Sequence, residues 1–100
     1  MIVNAIKDGT KLTVSAEGKL GTTSAPELEK ALKDNIGGVT ELVFDFAKLE
    51  YMASAGLRVL LSSAKVMKKQ GSMKIINVTQ PVMDVFTFTG MADVLDIETV

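Results

Sequence analysis

Residues Asp45 to Leu61, DFAKLEYMASAGLRVLL, decide the fold: a strand-like run ends near Phe46, a short polar turn follows, and from Ser54 the apolar period becomes helical. Upstream, Glu41 to Phe46 carries Leu42, Val43, Phe44 and Phe46, the nearly continuous apolar pattern of a strand at the centre of a sheet. Downstream, Leu57, Leu60, Leu61 and Ala64 fall at helical spacing, continued by Met67 or Lys68, and Lys68-Lys69-Gln70-Gly71 reads as a cationic last turn and stop. Ala47 to Ala53 reads as a loop, and Ser54 stands where the helix should begin.

On the N-terminal side, residues 2–6 and 11–17 read as two strands joined at Asp8-Gly9, because glycine accepts the positive φ of a tight hairpin turn. A helix from Ser24 to Ile36 follows, with Leu28, Leu32 and Ile36 recurring on one face. Ser24 and Glu27 have capping-box spacing, Pro26 lies in the tolerant first turn, and Gly37-Gly38 ends the helix. On the C-terminal side, Met73 to Val78 reads as a strand. Thr79 and Pro81 open a third helix carrying Val82, Val85 and Phe86 and stopping at Gly90, and a weak strand occupies residues 94–99. The order β-β-α-β-α-β-α-β predicts an α/β fold: a mixed sheet of about five strands covered by helices, in one domain over residues 1–100.

Composition narrows the function classes. The chain has 100 residues, 47% of them apolar, which suits one core. Its net charge is −1 and its ten lysines and one arginine, Arg58, are scattered, so no basic field draws in nucleic acid. The absence of Cys and His removes disulfides, thiol nucleophiles, the usual metal ligands and the usual neutral-pH base. No signal peptide or membrane-length apolar run is present, so a soluble cytoplasmic protein with no membrane partner is expected.

Ser54 has two readings. In the plain one it caps the helix by accepting a hydrogen bond from an amide two or three residues on, worth about 1 kcal/mol. In the other its hydroxyl is offered to a kinase, between the small neighbours Ala53, Ala55 and Gly56, at a helix end that favours negative charge. Gly56 is a poor first-turn residue, by about 1 kcal/mol relative to Ala, which points to a need for backbone access there. Arg58 lies one turn from Ser54, either as a pairing partner for a phosphate or as an ordinary solvated residue.

Other motifs carry less. Ser62-Ser63-Ala64-Lys65 has the S-x-x-K spacing of a serine acyl enzyme but lies mid-helix without companion motifs. Asn77-Val78-Thr79 is a formal glycosylation sequon that reads as a strand end and helix cap. Asp45 and Glu50 lack a third ligand or a base, and read as residues that solvate or pin the turn. Met52, Met83 and Met91 read as core filler before an adaptable partner surface. No enzyme, metal or cofactor is expected.

The run Tyr51-Met52-Ala53-Ser54-Ala55-Gly56-Leu57, preceded by Asp45-Phe46, resembles the signature of STAS domains, specifically stand-alone anti-sigma factor antagonists. Glu17-Gly18-Lys19-Leu20 before the first helix and the Phe86 to Met91 stretch extend the likeness over essentially the whole chain. The resemblance implies that Ser54 is the phosphoacceptor. It implies partner contacts at Gly21, Thr22, Met52, Ala53, Ala55, Gly56, Leu57 and Arg58. The implied partner is an anti-sigma factor, commonly a serine kinase with a histidine-kinase-like ATPase fold, whose phosphorylation of the antagonist weakens the complex until a serine phosphatase restores it. Three positions depart from the family pattern, which often has Asp where this chain has Ala53 and Gly21, and commonly Ser or Thr where it has Ala47. A non-phosphorylated interaction or small-ligand-binding module in a signalling complex is the alternative reading.

Overall fold

The hairpin at the N-terminus is built as the Asp8-Gly9 signal predicts. β1 (Ile2–Asp8) pairs antiparallel with β2 (Lys11–Leu20) from Ile2↔Glu17 to Asp8↔Lys11, leaving a two-residue turn whose Gly9 has φ +62°. The remaining elements of this computed structural model, which describes residues 1–99, follow as α1 (Ala25–Asn35), β3 (Glu41–Asp45), β4 (Leu49–Met52), α2 (Ser54–Gln70), β5 (Ser72–Val78), α3 (Gln80–Thr89), a short 3-10 turn (Met91–Asp93) and β6 (Ile97–Thr99). Val100, the last residue of the expected domain, lies outside the described residues.

The sheet runs β1-β2-β3-β5-β6, with every pair parallel except the β1–β2 hairpin. Parallel neighbours need crossovers, and α1, α2 and α3 supply them. The mixed α/β architecture is therefore the expected one, with a sixth strand added where a loop was expected. β4 lies off the main path and pairs parallel with the end of β2, Lys19↔Tyr51 and Leu20↔Met52. β2 reaches that far because its register shifts at Gly18, which takes φ +98°.

Alternation on β2 buries Leu12, Val14 and Ala16 and leaves Thr13, Ser15 and Glu17 half-buried. On β3, Leu42, Val43 and Phe44 are all buried, as the continuous apolar run predicts. Phe44 and Phe46, ring centroids 5.7 Å apart, centre the core with Leu20, Leu28, Leu60, Ile75 and Phe86. Of the three methionines weighed above, Met52 is wholly buried, while Met83 and Met91 pack against the core from partly exposed positions.

Local contacts differ from the sequence reading at three helix starts. Ser24 occupies the N-cap of α1 without making a side-chain cap bond. Its Oγ instead accepts from the Gly21 N–H (2.8 Å) and donates to the Lys19 carbonyl (3.0 Å), tying the β2–α1 turn to itself. Thr79 precedes α3 likewise without a cap bond and donates to the Leu49 carbonyl at 3.3 Å, joining α3 to β4. The third start, that of α2, belongs to the site. Asp45 pins a turn as expected, its Oδ1 accepting from the Ala47 N–H (3.1 Å) and from Nδ2 of Asn77 (3.2 Å).

Candidate functional site

The start of α2 is fixed from beneath. β4 ends at Met52, Ala53 is extended (φ −94°, ψ 174°), and its N–H donates to the Leu20 carbonyl at 2.8 Å. The N-cap is therefore Ala53, and Ser54 is the first helical residue. This corrects the capping reading: a serine at N1 cannot fold its Oγ back onto the N2 or N3 amide as an N-cap does, and no side-chain cap bond is present. Ser54 is exposed, and its hydroxyl has no hydrogen-bond partner among the described residues.

Gly56 also has a different reason from the one its sequence context suggested. It is buried, and a Cβ there would lie 2.7 Å from Leu20 Cδ2 and 2.8 Å from Met52 Cγ. The missing side chain lets α2 approach the ends of β2 and β4; it does not expose backbone to a visitor. Gly71, at the other end of α2, answers a similar demand, since a Cβ there would run into the Thr40 carbonyl.

The electrostatics of α2 are lopsided. Lys68 and Lys69 stand in its last turn, matching the negative end of the helix dipole, but its first turn carries no acidic residue. The positive end is thus met neither by a cap nor by a carboxylate from the helix itself.

The structure divides the expected site residues between two depressions. Met52, Ala53, Ser54 and Leu57 line a cleft of about 370 Å³ against α3. Thr22, Ala55 and Arg58 line a groove of about 350 Å³ against α1. Gly21 and Gly56 line neither: Gly21 is held in the turn by Ser24, and Gly56 lies under the helix. Arg58, although one turn from Ser54, faces the α1 side and makes no ion pair among the described residues.

Sequence reasoning missed the far wall of the Ser54 cleft, made by Asp84, Val85, Phe88 and Thr89 of α3, and the part that Tyr51 of β4 plays on the near side. Of the five aromatic residues, Phe44, Phe46 and Phe86 are fully buried, while Tyr51 is 50% and Phe88 92% exposed. Both exposed rings flank Ser54. A signal existed: Phe88 is two residues from the core residue Phe86, so helical geometry puts it on the opposite, polar face of α3. Asp84 accepts a hydrogen bond from Nε2 of Gln80 at 2.7 Å and is the one charge on α3.

Among the described residues, no group of three or more His, Cys, Asp or Glu could hold a metal ion. What the cleft offers is an uncommitted hydroxyl, an open helix end and two aromatic rings. No helix of the described residues is long and apolar enough to cross a membrane.

A family model of the STAS domain matches residues 2–100. The anti-sigma-B factor antagonist of Bacillus subtilis (strain 168) is 30% identical over 96 residues, covering 95% of this chain and 88% of that protein. Among solved structures, an anti-sigma factor antagonist from Mycobacterium paratuberculosis matches with a TM-score of 0.88 at 19% identity, over 99% of this chain and 86% of that one. The Bacillus cell fate determinant SpoIIAA in its phosphorylated form matches with a TM-score of 0.77 at 17% identity, over 99% of this chain and 92% of that one. The two structures speak for the fold, and the sequence match speaks for descent. This chain belongs to the STAS domain family.

Proposed function

We propose that this chain is a cytoplasmic anti-sigma factor antagonist that binds a serine kinase of histidine-kinase-like ATPase fold through the Ser54 cleft, and that phosphorylation of Ser54 switches the complex off. One observation carries this reading: the Ser54 hydroxyl stands exposed at an uncapped helix start and takes no part in holding the fold together. The name of the Bacillus subtilis relative, and the existence of SpoIIAA in a phosphorylated form, support it.

The chemistry follows from the charge. A phosphoserine adds about −1.5 to −2 at pH 7. The amide end of α2 tolerates that charge, with a gain of about 0.3–1 kcal/mol from the helix dipole. No existing cap bond is lost when the phosphate arrives. The penalty falls on the complex, where a dianion enclosed against Tyr51, Phe88 and the partner's surface loses its water and repels nearby carboxylates. A serine phosphatase reverses the step.

The direct test incubates the protein with the candidate kinase and ATP and reads the intact mass. One added phosphate is expected, and none on Ser54→Ala. An active cognate kinase that adds nothing sinks the switch, and a Ser54→Glu variant that binds the partner as tightly as the parent sinks the interface. A second reading rests on Ala53 and Gly21, which bring no carboxylate to the surface where the family often has one. In that reading the chain is an interaction or ligand-binding module without a switch, and its affinity for a partner does not respond to ATP.

A further inference from the structure

We propose that the groove between α1 and α2, on the side of α2 away from α3, binds a small anionic amphiphile: a monocarboxylate with a medium-length linear alkyl chain. This goes beyond the partner reading and does not depend on it. The groove's volume of about 350 Å³ falls within the range of small-molecule sites, roughly 300–1,000 Å³. Pro26, Leu32 and Ile36 form one wall, with Val59 and Val66 opposite. Val66 is 40% exposed, apolar surface that the fold leaves open in the C-terminal half of α2.

The charges in the lining select the head group. Glu29 and Lys33 are paired at 3.0 Å and cancel. Arg58, the only arginine of the chain, has no carboxylate within 4.0 Å among the described residues, so the lining carries one uncompensated positive charge. The buried Ser63 hydroxyl donates to the Val59 carbonyl at 2.9 Å, which leaves the floor beneath without a free donor. Beside the Glu29–Lys33 pair and Ser63, the polar side chains of the lining are the Arg58 guanidinium and the hydroxyls of Thr22 and Ser62.

An alkyl chain satisfies the apolar walls and a single carboxylate satisfies Arg58. The planar guanidinium takes a carboxylate bidentately, and the hydroxyls can donate to the same oxygens. A neutral hydrocarbon gains nothing from the exposed Arg58 guanidinium, and a cationic amphiphile is repelled by it. Charge complementarity therefore favours an anionic head over the other two.

The test titrates the isotope-labelled protein with decanoate, below the concentration at which decanoate self-associates, and follows backbone amide resonances. Saturable shifts confined to the groove are expected, at Thr22, Ala25, Arg58, Val59 and Val66, with none from decyltrimethylammonium. Arg58→Gln, a change at an exposed side chain, should weaken decanoate binding by about tenfold or more through loss of a charge-assisted pair. Val66→Asp, which brings a carboxylate to the apolar wall, should weaken it as well. The proposal is overturned by three results: absent or dispersed shifts, equal binding of the ammonium and the carboxylate, or Arg58→Gln binding decanoate as tightly as the parent.

Discussion

Two serines stand at two helix starts, one residue apart in register, and they behave in opposite ways. Ser24 sits at the N-cap position of α1 and engages its hydroxyl twice, with the Gly21 amide and the Lys19 carbonyl. Ser54 sits one place inside α2 and engages its hydroxyl with no protein group. Both lie in sequence contexts that suggest a cap, and neither caps. The difference comes from what precedes each helix. A turn of Gly21 to Ser24 folds back on itself and takes in the Ser24 side chain, whereas β4 runs straight into α2 and holds Ala53 extended, leaving the next side chain to point away. A hydroxyl is available for chemistry when the backbone before it is fixed by something else.

That contrast can be broken at its support. Gly56→Ala puts a methyl group 2.7–2.8 Å from Leu20 and Met52, and should destabilise the fold by about 1–3 kcal/mol, read by chemical denaturation. An unchanged midpoint would mean that α2 is not pressed onto the strand ends, and Ser54 would lose its fixed mount. On the partner side of the contrast, Phe88→Ala should leave the denaturation midpoint nearly unmoved, because the ring is 92% exposed. It should weaken a complex that covers the Ser54 cleft by about tenfold, roughly 1.4 kcal/mol, as removal of an aromatic anchor does. Titration of that complex by calorimetry decides it.

The serines themselves give the two smaller effects. Ser24→Ala leaves the Gly21 amide without its acceptor and should lower stability by about 1 kcal/mol. Ser54→Ala should change stability by less than about 0.5 kcal/mol in either direction, since an exposed serine with no bond gives way to a better helix former. If thermal melts instead show the two alanine variants equally damaged, the two hydroxyls are doing the same work and the contrast fails.

Much of the fold was legible in the sequence, and the places where it was not share a cause. Helical and strand periods located α1, α2, α3 and the strands through Phe44 and Ile75, because those elements bury apolar residues against a common core. β4 escaped notice because Leu49-Glu50-Tyr51-Met52 is only four residues long and exists by pairing with a strand distant in sequence. The purpose of Gly56 was hidden for the same reason: its neighbours Leu20 and Met52 come from other elements. At the site, the motif around Ser54 showed where to look, while the wall that completes the cleft comes from α3, thirty residues on. Phe88 was readable as an aromatic on a polar helix face, but nothing local placed it beside Ser54.

The firm seating of α2 on Leu20 and Met52 has a consequence in time. Ala53 is tied to Leu20 by a backbone hydrogen bond, and Gly56 lets the helix rest on the strand ends, so the backbone that carries Ser54 is already in place before anything is added to it. A group placed on that oxygen waits for no hinge, lid or refolding step, motions that occupy microseconds to seconds in proteins that switch by changing shape. On the proposed reading, the clock of the switch is the enzyme that transfers the phosphoryl group and the one that removes it. The small domain between them keeps the record without setting the pace.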